Sequence, residues 1–224
     1  MTLLAEDLLL LLLDGKTGKP LVDGTALPRA LAGAVLLDLA LDGVVEPAAE
    51  DGEVKKGRLV LRDRTAPLDP ILARATAQLR GSKPMKPERA IEKLGQGLRE
   101  AVLGRIVERG WVHERKGKLL GIFPTKTWPS VDPSHERVVR EKLWAVLVDG
   151  TGPEPRTAAL VSLLSAVDAA HKVFPDADRK AIRKRAKAVA ADDWAGAAVR
   201  KAVEAVNAAI IAAVIVPSVA AGGS

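Results

Sequence analysis

The sequence predicts a mainly α-helical fold in a single domain, with strands confined to short β-hairpins. Apolar residues recur at steps of three and four through most of the chain, which is the spacing of one helix face. Only two short stretches, at about 58–61 and 118–122, have the character of strands. A length of 224 residues, of which 48 % are hydrophobic, is ample for a buried core.

Prolines and glycines set the bounds of the predicted helices. One helical run begins after Pro28 and ends at Gly43, and another begins at Pro70 and stops at Gly81. This matches the preference for Pro in the first turn of a helix and Gly just after the last. The stretch 88–109 carries an apolar stripe with a basic outer side. In full, the predicted helices lie at about 28–43, 70–80, 88–109, 136–148, 157–173, 177–190 and 194–214.

An internal repeat predicts a β-hairpin after two of these helices. Residues 34–45 align without gaps on residues 101–112. In each copy an apolar helix ends at Gly, a β-prone pair follows, and a charged stretch leads to a second apolar strand, at 59–61 and at 119–122. A helix followed by a hairpin is the plan of a winged-helix module, so a duplex DNA-binding protein is an alternative interpretation.

The chain is expected to form one domain with no transmembrane segment. Its Pro-containing connectors are too short to serve as flexible linkers, and we predict a domain at 1–216 with a disordered C-terminal tail at 217–224. The Leu run at 8–13 is too short to cross a bilayer and no Lys or Arg precedes it. It predicts a buried core segment, so any membrane contact must be peripheral. The absence of Cys suits a reducing compartment, so we expect a cytoplasmic protein that is peripheral to the cytoplasmic face of the membrane.

The residue types argue against several classes of chemistry. With no Cys, disulfide scaffolds, Cys-based zinc sites and thiol nucleophiles are excluded. The three His, at 113, 135 and 171, lack the short spacings of metal motifs. Gly15-Lys16-Thr17 resembles the end of a phosphate loop, but Leu10 stands where that motif needs Gly, so a turn is predicted. We find no catalytic constellation and expect a non-enzymatic protein with no metal and no cofactor.

The charge distribution predicts a polyanionic partner. The chain has a net charge of +6, and residues 51–118 alone carry a net charge of +8. Nucleic acid and an anionic membrane surface both fit. Arg99, Arg105 and Arg109 suit phosphate contacts along a duplex, although an aromatic content of 3 % argues against single-strand binding. Trp111 and Trp128, which flank the basic second hairpin, suit a lipid headgroup layer.

Several segments, taken in order, carry a family resemblance. They are Leu3–Asp7 with the Leu run and Asp14-Gly15, then Gly33–Gly43, Val107–Val112, Asp149-Gly150 and Pro155–Leu160. In this order they resemble the Golgi phosphoprotein 3 family over nearly the whole chain, and most of all its bacterial, actinomycete branch. The abundance of Ala, Val, Arg and Gly suits a GC-rich genome.

The resemblance implies a helical bundle wrapped by amphipathic helices, with a protruding β-hairpin. Eukaryotic members of the family are peripheral membrane proteins that bind phosphatidylinositol 4-phosphate through a basic pocket and act as adaptors for Golgi glycosyltransferases. Their hairpin contributes to self-association in some cases. By this resemblance we expect a non-enzymatic peripheral membrane or adaptor protein that binds anionic, phosphoinositide-like lipids, with a protein client or self-association through the hairpin.

The resemblance also nominates a lipid site. The family's Trp falls on Asp23, the Arg of its second helix on Ala32, and its Arg pair on Gln96 and Arg99. Only Arg99 keeps the family residue, and the lost cations predict weaker recognition of the 4-phosphate. The predicted headgroup-binding residues are Arg99, Arg29, Gln96 and Arg105. The predicted membrane or self-association residues around the hairpin are Arg115, Lys116, Lys118 and Trp128.

Overall fold

The computed structural model describes residues 2–50, 53–62, 69–119, 123–192 and 197–220. Within these ranges the fold is mainly α-helical, with two small antiparallel hairpins, which confirms the predicted fold class. In chain order the elements are α1 Leu4–Leu11, α2 Ala26–Leu41, β1 Val45–Pro47, β2 Leu59–Leu61, α3 Pro70–Arg80, α4 Pro87–Leu94, α5 Leu98–Glu108, β3 Arg115–Leu119, β4 Phe123–Thr127, α6 Ser134–Leu147, α7 Pro155–Ala166, α8 Ala170–Val173, α9 Arg179–Ala191 and α10 Ala197–Ala220.

Helices α1 and α2 lie at the centre of the core. Every residue of α1 is buried, which confirms the interpretation of the Leu run as a core segment. Helix α2 is buried along most of its length and contacts α1, α4, α5, α7 and α10. Gly33 lets α2 and α10 approach closely, because a Cβ there would lie 2.7 Å from Cδ1 of Ile210. The outer helices therefore pack around a central apolar pair.

Two of the predicted helices are each divided in the structure. The predicted helix 88–109 is wrong as one element, because α4 ends at Leu94 and α5 begins at Leu98, with Gly97 between them at φ +67°. The predicted helix 157–173 is divided into α7 and α8 near Asp168, whose φ is +49°. A backbone in the left-handed region cannot continue a right-handed helix, so each turn redirects the chain.

The first hairpin forms as predicted and the second is shifted in sequence. Strands β1 and β2 pair with Val45 opposite Leu61. In the second copy the charged stretch is itself strand β3, which pairs with β4 so that Arg115 lies opposite Thr127. Leu119 ends β3 and does not begin the second strand, which is β4, and the rest of the predicted strand, residues 120–122, lies outside the described residues. Residues 115–117 of β3 are exposed and include no apolar side chain that could mark this stretch as a strand.

The long C-terminal helix passes the predicted end of the domain. Helix α10 continues through Pro217 to Ala220, and residues 221–224 of the predicted tail lie outside the described residues. The boundary at 216 stays a prediction. Among the helices in the described ranges, none combines the length and the apolar character that crossing a bilayer requires.

Candidate functional site

Arg99 lies in the first turn of α5, on a buried aromatic ring. Its Cζ is 5.3 Å from the centre of the Trp128 ring, which is a cation–π contact. The Nε atom of Arg99 is buried and has no hydrogen-bond partner among the described residues. The N-cap of α5 is Gly97, which has no side chain to accept hydrogen bonds from the first-turn amides. The site therefore combines an incompletely bonded guanidinium with a helix N-terminus.

Trp128 is held in place by a turn that the sequence analysis predicted. Residues 15–17 form this turn, closed by Asp14, whose Oδ1 accepts from the Thr17 hydroxyl at 2.7 Å. The Trp128 amide donates to the carbonyl of Gly18 at 3.0 Å. The Trp128 side chain is only 7 % exposed and packs in the core after β4. The expectation that Trp128 contacts a membrane is thus corrected, because its ring is enclosed and serves as a platform for Arg99.

The first turn of α2 lies next to the break between α4 and α5. A Cβ on Gly95 would lie 3.7 Å from the carbonyl oxygen of Pro28. Arg29 follows Pro28, is half-buried, and donates from Nη1 to the Thr25 carbonyl at 3.3 Å. Gln96 is exposed in the break, where its carbonyl accepts from Arg74 at 3.4 Å. The structure thus brings the elements that carry Arg29, Gln96 and Arg99 to one region.

Two of the three positions where the resemblance predicts a replaced cation or aromatic, Asp23 and Ala32, have structural roles here. Asp23 accepts hydrogen bonds from the amides of Ala26 and Thr25, which hold the pKa of its carboxyl below the usual value. It therefore remains a carboxylate that accepts a hydrogen bond from Ala26, the first residue of α2, ahead of the N-cap Thr25. Ala32 is fully buried in α2 and takes part in the core.

Arg105 forms ion pairs with two carboxylates of the protein, so its charge is already compensated. Its guanidinium pairs with Asp69 at 2.6 Å and with Glu6 at 3.3 Å. Arg109 also pairs with Glu6, at 2.8 Å. Because the Glu6 side chain is completely buried, these guanidiniums compensate a charge that would otherwise be unpaired. The predicted headgroup contact of Arg105 and the predicted duplex contacts of Arg105 and Arg109 would both have to compete with this buried pair.

The second hairpin presents cations to solvent. Arg115 and Lys116 are exposed on β3, and Lys116 lies opposite Lys126 on β4. Lys126 pairs with Glu114 at 3.2 Å. The side chain of Lys118 lies outside the described residues. The hairpin is therefore a basic element at the surface, consistent with an interaction role but specific to no ligand.

A partly buried ionic cluster joins four helices, and the sequence analysis missed it. Arg156 of α7 donates to Asp38 of α2 at 3.1 Å and to Asp7 of α1 at 3.0 Å. Nε2 of His135 on α6 lies 2.7 Å from Asp7, and its ring stacks on Trp111 at 4.3 Å. Asp and Glu inside strongly apolar helices were the available indication, because such residues are seldom buried without partners. The cluster therefore cross-links these helices through carboxylates that are themselves buried.

The packing of α2 contradicts the winged-helix interpretation for the first copy of the repeat. Helix α2, which precedes the first hairpin, is buried on nearly all sides and so cannot enter a DNA groove. A recognition helix must expose the side chains that read bases or contact phosphates. The interpretation is therefore wrong for the first copy and stays a prediction for the second, whose helix α5 is partly exposed.

A family model decides what kind of protein this is. The model of Golgi phosphoprotein 3 (GPP34) matches residues 4–206, which is nearly the whole chain. The chain belongs to the Golgi phosphoprotein 3 family. A search of curated proteins gives no match. The matched range begins at α1 and reaches into α10, so the core, the two hairpins and the Arg99 region are all part of the Golgi phosphoprotein 3 domain. Membership supports a non-enzymatic, adaptor-type protein.

Proposed function

We propose that this member of the Golgi phosphoprotein 3 family is a peripheral membrane adaptor that binds a phosphorylated, anionic lipid headgroup beside Arg99. It would act at the cytoplasmic face of the membrane, without catalysis. A protein client or a second copy would engage the basic hairpin that carries Arg115 and Lys116. Family membership supports the adaptor role, and the geometry around Arg99 supports the headgroup site.

The observation that carries the proposal is the state of the Arg99 guanidinium. It rests on Trp128 in a half-buried position, where charge is less screened than at an open surface. Its side chain forms no ion pair with a described carboxylate, so its charge is available to a ligand. A phosphate oxygen at this point would accept a charge-assisted hydrogen bond and lie near the N-terminus of α5.

The acidic neighbours limit how strong this site can be. Glu100 follows Arg99 in the first turn of α5, and Asp23 stays ionised at the foot of α2. Ala32 is buried in the core and carries no charge, so the cation that α2 can supply to the site is Arg29 in its first turn. We therefore propose recognition by Arg99 with support from Arg29, and a modest preference for the 4-phosphate over other anionic headgroups.

Vesicle co-sedimentation tests the headgroup site. One set of vesicles carries phosphatidylinositol 4-phosphate, and the other carries phosphatidylinositol with phosphatidylglycerol added to match the total charge. The wild-type chain should bind the first set more tightly, and Arg99→Gln should remove that difference. Arg80→Gln, at an exposed Arg on α3, is the matched control and should retain it. Equal binding of wild type to both sets would refute phosphate recognition at Arg99.

A further inference from the structure

Helix α9 presents a dense run of basic residues to solvent. Six of the nine residues from 179 to 187 are Arg or Lys, and the helix Arg179–Ala191 contains no acidic residue. Its apolar side is formed by Ile182, Ala186 and Val189, which are buried against the core. The basic residues occupy the remaining surface of the helix. This run of cations is not apparent from the net charge of the residues outside 51–118.

Two of the six cations fix the position of α9. Arg183 forms a two-bond ion pair with Asp168, with Nε to Oδ1 at 2.7 Å. Arg185 donates from Nε to the Val146 carbonyl at 3.0 Å and from Nη2 to the Gly150 carbonyl at 3.1 Å. Since these contacts hold the helix on α6 and on the turn before α8, the outward direction of the other cations is fixed.

The other four cations have no internal role in the described structure. Arg179, Lys180, Lys184 and Lys187 are exposed and form no ion pair with any described residue. The three Lys stand at steps of four and three, so they share one side of α9. Like charges at these spacings destabilise a helix, and a polyanionic partner would remove the repulsion.

Exposed apolar side chains lie on the helix to which Arg185 ties α9. Trp144 and Val148 are each 42 % exposed at the C-terminal end of α6. They stand four residues apart and so share one side of the last turn. The Arg185 bonds join α9 to the backbone of this same turn, at Val146 and at Gly150. The Trp144 ring packs edge-on against Phe174, 5.5 Å between centres, which fixes the indole without covering it.

We propose that this surface, formed by Lys180, Lys184, Lys187, Trp144 and Val148 and called here the α9 surface, docks on an anionic lipid bilayer. Lys side chains are attracted to the negative potential of the bilayer, and an exposed indole inserts among headgroups. A nucleic acid would also meet the cations but would give Val148 nothing to bury against, so the lipid surface fits both features. The α9 surface shares no residue with the Arg99 site and adds a general electrostatic attachment.

Charge reversal on α9 tests this docking with vesicles of phosphatidylcholine and phosphatidylglycerol. Lys180→Glu/Lys184→Glu/Lys187→Glu should weaken co-sedimentation by at least about tenfold at low salt, because each Lys near an anionic surface adds to the free energy of binding. The matched control is Lys83→Glu/Lys86→Glu/Arg89→Glu, which changes the net charge equally at exposed positions before and within α4. It should weaken binding far less, and circular dichroism should show both variants folded.

Insertion of Trp144 gives a second measurement. Brominated lipids should quench the fluorescence of the wild-type chain more than that of Trp144→Phe, because the bromine atoms reach only an inserted indole. No binding of wild type to these vesicles, an equal loss in both triple variants, or equal quenching would overturn the proposal. Loss of duplex DNA binding in the α9 variant with vesicle binding intact would overturn it in favour of nucleic acid.

The vesicles distinguish this proposal from the Arg99 site. They contain no phosphomonoester, so Arg99→Gln should bind them almost as wild type does. A failure of the Arg99 site appears only as a missing increment when phosphatidylinositol 4-phosphate is added. A failure of the α9 surface appears already without that lipid.

Discussion

Asp38 of α2, which is buried, forms an ion pair with the half-buried Arg156 of α7 at the edge of the core, with Nη1 of Arg156 3.1 Å from Oδ1 of Asp38. The second carboxylate oxygen of Asp38 accepts from the Leu4 amide at 2.8 Å. Burial nevertheless raises the pKa of Asp38 to about 7, because the loss of hydration disfavours the charged carboxylate more than the nearby charge of Arg156 favours it. The pair therefore ties α1, α2 and α7 together while making the fold sensitive to pH.

The pKa of Asp38 predicts how stability changes with pH. The unfolded chain loses this proton near the ordinary value of 3.8, whereas the folded chain keeps it to about pH 7. Because the folded state binds more protons between these values, the contribution of Asp38 to stability falls as pH rises from about 4 to 7 and is level above. At about 1.4 kcal/mol for each pKa unit, the change is a few kcal/mol.

Asp38→Asn should remove this slope. The amide can still accept from Leu4 but meets Arg156 with a donor, so a constant loss of stability at all pH values is expected as well. Urea unfolding of both chains at several pH values from 5 to 8 measures the effect. Parallel curves of unfolding free energy against pH for the two chains would contradict the assignment.

The buried Glu6 carboxylate predicts that its two Arg partners act together. In Arg105→Met or Arg109→Met alone, Glu6 keeps one guanidinium, so each loss should be modest, about 1 kcal/mol. In the double variant the carboxylate is buried without a cation, which should cost about 3–5 kcal/mol. Thermal or urea unfolding of all four chains measures the coupling. Simple addition of the two single effects would show that Glu6 does not depend on the pair.

The helix bounds were predictable where end residues mark them. Helix α3 runs from Pro70 to Arg80 as the sequence predicts, because Asp69 caps it and Gly81 ends it. The break between α4 and α5 was missed because the apolar spacing continues from Leu94 to Leu98 across the two glycines. A pattern of buried residues records which side faces the core and not whether the axis turns.

The site was predictable only in part. The resemblance singled out Arg99, but the Trp128 platform depends on a contact between segments far apart in sequence. Arg105 was expected to be an open cation because it lies outside the apolar stripe. Its pairing with Glu6 on another helix could not be inferred from that pattern. The cations of α9 were overlooked because acidic residues elsewhere cancel them in the net charge of the residues outside 51–118. Long-range pairing and local charge density both need the fold.

The contact between α2 and α10 predicts opposite results for two Gly→Ala changes in helices. In Gly33→Ala the new Cβ would lie 2.9 Å from Cγ1 of Val206, so overpacking should cost about 1–3 kcal/mol. Gly104 has nothing within 4 Å of an added Cβ, so Gly104→Ala should stabilise α5 by about 0.5–1 kcal/mol. Thermal unfolding compares the two. Adding Val206→Ala to Gly33→Ala should recover part of the loss, and a stabilising Gly33→Ala would show that the contact can relax.

Ala substitutions at Gly18 and Gly57, two glycines with similar backbone angles, test how far lipid binding at Arg99 depends on the turn beside Trp128. Gly18 and Gly57 have φ of +68° and +76°, so Ala at either position is strained by about 1 kcal/mol. Only at Gly18 would the new Cβ collide, 2.2 Å from the backbone of Trp128, whereas nothing lies within 4 Å at Gly57.

Gly18→Ala should therefore displace Trp128, lower stability by several times the loss in Gly57→Ala, and change the tryptophan emission. It should also reduce the preference for vesicles that carry the 4-phosphate, because Arg99 loses the ring on which it rests. Unfolding, fluorescence and co-sedimentation of the two variants measure these effects side by side. If Gly18→Ala kept the lipid preference of wild type although its emission had shifted, Arg99 would not need Trp128 for binding, and the platform would be a packing contact alone.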